Sequence, residues 1–118
     1  MKRDMDLVRK ILLELEDTPY ELGGFDLELE GYSPDQISYH VMLLNEAGLI
    51  EANDLSTFGG PKWTPKRLTW AGHEFIEASR DESRWEKAKN IMKEKGSGMA
   101  FDVLRSVLIQ LMTKAVLG

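Results

Sequence analysis

A Ser-Pro pair and a glycine mark the two ends of one helix in the middle of this sequence, and they constrain the fold most. The hydroxyl of Ser33 can cap a helix N-terminus, and Pro34 follows it at the first helical position. Gly48 is a typical residue for ending a helix, and the apolar pair Leu49-Ile50 comes directly after it. The sequence therefore predicts a helix between these limits that leads into a short strand.

The two faces of this helix differ in chemistry. The spacing places five residues on the buried face, namely Ile37, His40, Val41, Leu44 and Ala47. We expect His40 to be a hydrogen-bonded core residue there rather than a ligand or a base. The opposite face carries Asp35, Ser38, Tyr39, Met42, Asn45 and Glu46, and it contains no Lys or Arg.

Four further segments have the three- and four-residue apolar spacing of amphipathic helices. They cover residues 4–17, 70–80, 83–95 and 99–117. The aromatic residues Trp70, Phe75 and Trp85 are assigned to the core. The last helix carries a wide apolar stripe, which either packs on the rest of the chain or meets a second copy of itself.

The remaining ordered segments have the patterns of strands. Residues 25–30 alternate strictly between apolar and acidic side chains, which predicts a half-buried strand with Asp26, Glu28 and Glu30 on its outer face. Residues 49–52 and 66–70 are predicted to pair as a hairpin with a long, turn-rich tip.

Composition excludes several classes of protein. The 118 residues suit one folding unit, and the absence of cysteine excludes a disulfide framework, a thiolate zinc site and a cysteine nucleophile. The N-terminal residues contain no apolar run typical of a signal peptide or membrane span. We therefore expect a cytoplasmic protein with no membrane partner. The net charge of -5 runs against a protein that wraps polyanions.

No constellation of catalytic side chains emerges from the sequence. His73 has no acid and nucleophile at a recognisable spacing. The acidic residues of segment 25–30 could bind a hard cation, but a solvated or partner-facing surface is the better interpretation. We therefore predict no enzymatic activity, no metal and no cofactor.

The order of helix, strand, helix, hairpin and helix over residues 2–80 resembles the winged-helix superfamily. Two motifs carry the resemblance: LLNEAGLI at 43–50, where glycine ends the helix, and LTWAGHEF at 68–75, where threonine caps the next helix. The resemblance implies an α+β, mainly α fold with a winged-helix-like core in residues 1–80. Two C-terminal helices in residues 81–118 would pack on this core or dimerise.

Taken more closely, the opening MKRDMDLVR, the pair Tyr39-His40, the block at 68–75 and Trp85 resemble a bacterial and prophage family, domain of unknown function 2513. That resemblance spans nearly the whole chain. It implies a bacterial or phage cytoplasm and a fold, but no mechanism. One departure from a standard winged helix matters. Almost no room remains before Ser33 for the supporting helix that positions a recognition helix on DNA.

The winged-helix resemblance predicts a DNA-binding or transcription-regulatory protein with double-stranded DNA as its partner. The predicted contacts come from the central helix and the hairpin, and they are Ser38, Tyr39, Asn45, Lys62, Trp63, Lys66 and Arg67. Asp35 and Glu46 would repel phosphate from the same helix face.

The alternative is a protein-interaction module without DNA binding. It would use Asp26, Glu28 and Glu30 against a basic protein partner. A homodimer is a separate expectation, with its contacts drawn from the last helix at Leu104, Val107, Leu108, Leu111 and Met112. Packing of that stripe against the first helix is the competing interpretation.

Overall fold

A computed structural model describes residues 1–20, 24–96 and 98–117. Within this part of the chain the elements follow the order α1 (Met5–Glu16), α2 (Pro34–Glu46), β1 (Ile50–Asp54), β2 (Trp63–Leu68), α3 (Trp70–Ser79), α4 (Glu82–Glu94) and α5 (Phe101–Leu117). The predicted α+β, mainly helical class is confirmed. The chain divides into two compact units, Met1–His73 and Glu74–Gly118, so the boundary lies inside α3 and earlier than residue 80.

Helix α2 begins and ends where the sequence predicts. Ser33 Oγ accepts the Gln36 N–H at 3.1 Å while Gln36 Oε1 accepts the Ser33 N–H at 2.8 Å, which completes a capping box. Gly48 follows the helix with a φ of 75°, a conformation that glycine adopts without strain. Four of the five residues predicted for the buried face are buried. The prediction is wrong for Ala47, which is exposed.

His40 is the buried polar residue that joins α2 to the start of α1. Its Nε2 accepts the backbone N–H of Asp4 at 2.8 Å, so the proton of the neutral ring is on Nδ1. Nδ1 then donates to the carbonyl oxygen of Gln36 at 2.7 Å. Asp4 also caps α1, since its Oδ1 accepts the N–H of Asp6 at 2.9 Å. The predicted role of His40 as a hydrogen-bonded core histidine is confirmed.

Strands β1 and β2 pair antiparallel as the predicted hairpin, with Ile50 opposite Leu68 and Asp54 opposite Trp63. The register shifts between Glu51 and Ala52, which makes a β-bulge.

Helix α2 lies across the hairpin and satisfies one backbone donor on each strand. Ser38 Oγ accepts the Trp63 N–H at 2.9 Å, and Asn45 Oδ1 accepts the Ala52 N–H at 3.1 Å.

The strand predicted over residues 25–30 does not form. Exposure does alternate as predicted, with the apolar residues half-buried and the acidic residues exposed, but the segment is extended without ladder hydrogen bonds. A neighbour of β2 would need N–H donors along the outer edge of that strand. Pro65 has no N–H, and the N–H of Trp63 is already bonded to Ser38.

The threonine of the second motif caps α3, as predicted. Thr69 Oγ1 accepts the N–H of Gly72 at 3.2 Å and donates to the carbonyl of Gly48 at 2.5 Å. A Cβ placed on Gly72 would overlap the backbone carbonyl oxygen of Leu49. The glycine therefore lets the first turn of α3 approach the start of the hairpin closely.

The second unit is built around aromatic contacts. The ring of Phe75 meets the edge of Trp85, with centroids 6.4 Å apart, and lies 5.1 Å from the ring of Phe101. Both Phe75 and Trp85 are buried as predicted. The prediction that Trp70 is a core residue is wrong, because its side chain is 82% exposed. Trp70 stands five positions before Phe75, which places it about 140° around the helix from Phe75 at 3.6 residues per turn.

We expect Gly72→Ala to destabilise the protein although alanine is the better helix former. The gain in helix propensity is about 1 kcal/mol, whereas the overlap with the Leu49 carbonyl forces a backbone shift that costs about 3 kcal/mol. Urea denaturation should therefore give a lower free energy of unfolding. Gly59→Ala is the matched control, because a Cβ there makes only an ordinary contact with Thr57. A Gly72→Ala protein more stable than the wild type would contradict this packing.

His40→Ala should lower the free energy of unfolding by about 2–4 kcal/mol, because it leaves a cavity and removes the partner of the Asp4 N–H. His73→Ala changes an exposed histidine and should leave the free energy nearly unchanged. Thermal or urea unfolding of the two variants gives the comparison. Equal effects at both positions would rule out the structural role of His40.

Candidate functional site

One groove brings together three segments of the first unit. The extended segment 24–30, the N-terminal half of α2 and the tip of the hairpin enclose a volume of about 330 Å³. Its lining consists of Asp26, Leu27, Glu28, Pro34, Asp35, Ile37, Ser38, Pro61, Lys62, Trp63 and Thr64. We call this the acidic groove. Residues from both functional hypotheses line this groove. Ser38, Lys62 and Trp63 are predicted to contact DNA. Asp26 and Glu28 are predicted to contact a protein.

The residues of α2 predicted to contact DNA are engaged within the chain. Ser38 Oγ and Asn45 Oδ1 each accept a backbone N–H of the hairpin. The ring of Tyr39 stands edge-on to that of His40, with centroids 5.9 Å apart, and is half-buried. A contact to base edges would require Ser38 and Asn45 to give up hydrogen bonds that position the hairpin.

Two of the three predicted cations of the hairpin are paired with carboxylates. Lys62 Nζ lies 3.2 Å from Asp26 Oδ1. Arg67 binds Glu51 with both ends of its fork, at 2.6 Å and 3.0 Å, and also donates to the carbonyl of Leu68 at 2.9 Å. Lys66 is exposed on β2 and lies outside the acidic groove.

The carboxylates of the groove outnumber its cations. Asp26 and Glu28 come from the extended segment, and Asp35 comes from the first turn of α2, where the helix dipole favours a negative charge. With Lys62 as the cation, the formal charge of the lining residues that the structure describes is -2. The predicted partner residue Glu30 lies in an adjoining hollow with Leu29 and Tyr32 rather than in the groove itself.

Thr64 also lines the groove, and no pattern in the sequence singles it out. Its side chain is only 4% exposed, and its Oγ1 has no hydrogen-bond partner among the residues that the structure describes. The backbone of Gly24 passes close by, since a Cβ there would lie 3.3 Å from this oxygen and would overlap the Asn53 side-chain amide. A buried hydroxyl without a partner is costly and is a reason to look for a ligand.

The tip of the hairpin is held by short-range hydrogen bonds. The N–H of Ser56 donates to Asp54 Oδ1 at 3.0 Å, and hydrogen bonding by Ser56 lowers the pKa of the Asp54 carboxyl. The N–H of Lys62 donates back to Ser56 Oγ at 3.0 Å. These bonds fix the backbone of Lys62 where the chain returns from the tip towards the groove. Phe58 lies at the tip and is fully exposed.

The residues predicted for dimerisation do not share one surface. Leu104 and Leu108 are completely buried inside the second unit. Val107, Leu111 and Met112 are half-buried, and the first two line a shallow hollow of about 130 Å³ between α4 and α5. Helix periodicity explains the difference in burial. Leu104 and Leu108 are four residues apart and therefore lie on the same face of α5.

Two kinds of site are absent from the described ranges. Within residues 1–20, 24–96 and 98–117, no three His, Asp or Glu side chains are grouped so that they could hold a metal ion. In the same part of the chain no helix combines the length and the apolar character needed to cross a bilayer.

Comparison with known proteins gives a family but no activity. The family model described as "Hypothetical protein (DUF2513)" matches residues 2–98. A protein of Haemophilus influenzae described as "Uncharacterized protein" is 36% identical over 108 residues, which cover 91% of this chain and 92% of the relative. No solved structure matches the chain. The resemblance to domain of unknown function 2513 is thereby confirmed, and this chain belongs to that family.

Proposed function

We propose that this chain is a protein-interaction module of a bacterial cytoplasm whose acidic groove binds a basic segment of a partner protein. The observation that carries the proposal is the distribution of charge. The cations Lys62 and Arg67 are already paired with Asp26 and Glu51, whereas the groove keeps a formal charge of -2. A surface with this charge attracts a cationic partner and repels a phosphate backbone.

The proposal includes a winged-helix arrangement for the first unit. Its support is the order of α1, α2, the hairpin and the first turn of α3, in which α2 takes the place of the recognition helix and the hairpin that of the wing. Segment 24–30 takes the place of the first strand without pairing to β2. This arrangement would reuse a DNA-binding architecture for a different partner, because function depends on the site rather than on the fold.

DNA binding through the hairpin is the second candidate. The observation that favours it is the exposure of Lys66 on β2 together with the exposed aromatic ring of Phe58 at the tip. It has less support because phosphate affinity requires several Lys or Arg side chains that can release counterions. Binding through Arg67 would also have to break its two hydrogen bonds to Glu51.

The interaction proposal predicts that a partner captured by the immobilised full chain depends on the groove. Reversal of Asp26 and Glu28 in the groove, together with Glu30 in the adjoining hollow, to Lys should abolish capture from a bacterial lysate, as measured by quantitative mass spectrometry. The charge-matched control reverses Glu14, Glu46 and Glu94, which are exposed and lie outside the groove. The control should retain the same partner. Loss of capture in both variants, or in neither, would exclude the acidic groove as the binding surface.

For the DNA candidate, labelled random duplex should give no anisotropy change with micromolar protein at low salt. A salt-sensitive signal would instead favour DNA binding. In that case Lys62→Ala, Lys66→Ala and Arg67→Ala together should remove it. Such a loss would replace the interaction proposal by a hairpin-mediated contact with phosphates.

A further inference from the structure

The ion pair between Lys62 and Asp26 spans the acidic groove from the hairpin tip to segment 24–30. Its Nζ-to-Oδ1 distance is 3.2 Å, and the side chains are 55% and 73% exposed, respectively. An ion pair this exposed to water is weak and exchanges readily with another cation. Lys62 therefore occupies a position that a cationic side chain from outside could take.

We infer that the groove receives a Lys or Arg side chain of the partner protein at the position of the Lys62 ammonium, and that Lys62 is a built-in competitor for this position. The inference rests on the proposed interaction function and adds the chemistry of the partner. Asp26 would exchange its internal cation for an external one. Glu28 and Asp35 raise the local negative potential and favour the approach of the external cation.

The apolar part of the lining indicates which kind of side chain stands beside the basic residue in the partner segment. Leu27, Ile37 and Trp63 are contributed by the three different segments that form the groove. They offer apolar surface next to the carboxylates, which suits an apolar side chain adjacent to the Lys or Arg. The volume of about 330 Å³ lies at the lower end of ligand pockets and fits a short extended segment rather than a folded surface.

Thr64 supplies an independent observation that points to a ligand in the same groove. Its hydroxyl belongs to the lining, is almost completely buried and has no hydrogen-bond partner within the described residues. The Lys62–Asp26 pair links segment 24–30 to the hairpin, and the start of that segment at Gly24 lies close to Thr64 Oγ1. Exchange of the pair would loosen this cover and allow a backbone N–H of the partner to donate to Oγ1.

This mechanism gives Lys62 opposite effects on two classes of partner. For a basic segment, Lys62 competes, so its removal strengthens binding. For an anionic partner, Lys62 is a contact, so its removal weakens binding. A single substitution therefore separates the two classes by the sign of its effect.

The test is an NMR titration of the full chain with the peptide GRLGRLG and with its neutral counterpart GQLGQLG. Shifts of the backbone amides of the groove residues report the site, and their dependence on concentration gives the Kd. We expect Lys62→Gln to strengthen binding of GRLGRLG about threefold to fivefold at low ionic strength. Asp26→Asn should weaken binding of GRLGRLG. The neutral peptide GQLGQLG should bind neither the wild type nor Lys62→Gln.

Lys66→Gln is the matched control, because Lys66 is exposed on the same hairpin but lies outside the groove. It makes the same change in net charge and should alter the Kd by less than about twofold. Equal strengthening by both substitutions would overturn the inference, since it would reflect net charge alone. Weaker binding by Lys62→Gln would also overturn it. Both side chains are exposed, and unchanged thermal unfolding of the variants verifies that the fold is retained.

Failure of this inference can be distinguished from failure of the proposed function. If GRLGRLG does not bind the wild type or Lys62→Gln while groove-dependent capture from lysate persists, the inference is wrong and the interaction function stands. If groove-dependent capture is absent as well, both are wrong. Strengthening specific to Lys62→Gln supports the inference.

Discussion

Three polar side chains of α2 accept hydrogen bonds from backbone N–H groups of other elements, and the first unit depends on these bonds. His40 serves Asp4 at the start of α1, Ser38 serves Trp63 on β2, and Asn45 serves Ala52 on β1. Each bond satisfies a donor that would otherwise be left without a partner in a partly buried position. A single helix thereby sets the positions of its neighbouring helix and of both strands.

The same bonds limit what the outer face of α2 can do. Side chains that fix the hairpin cannot also bind base edges without a change in the packing of the unit. The acidic groove lies beside the N-terminal half of α2, where the helix, the hairpin and segment 24–30 meet. Its carboxylates come from two of these segments, and among the described lining residues the cation Lys62 is already paired with one of them.

The sequence could predict the features that depend on local chemistry. The N-cap at Ser33, the glycine stop at Gly48 and the threonine cap of α3 each follow from one or two side chains and the backbone beside them. The burial of His40 follows from helical periodicity. The exposure of Asp26 and Glu28 also follows from the sequence, because alternation in segment 25–30 correctly separates its two faces.

Features that depend on distant partners could not be predicted in the same way. Alternation describes which side chains are covered, but it does not supply a neighbouring strand with available donors. Pro65 was the available signal that β2 has an interrupted row of N–H donors. The second interruption, the Ser38–Trp63 hydrogen bond, depends on the folded position of α2. The periodic stripe of α5 likewise did not separate Leu104 and Leu108, which are core residues, from the half-buried Val107 and Leu111. Thr64 gave no signal, because its missing hydrogen bond is a property of the folded surroundings.

The missing donor at Pro65 and the occupied donor at Trp63 also bear on the pairing of β2 with a further strand. An exposed strand with a full row of N–H and C=O groups invites intermolecular sheet growth, in both specific strand addition and aggregation. Pro65 and the Ser38–Trp63 bond interrupt that row. A polypeptide that approaches this side of the hairpin cannot be held by a continuous backbone ladder. Its binding must therefore depend on its side chains. A two-stranded hairpin can thus be selective among polypeptides although no third strand within the described residues covers its edge.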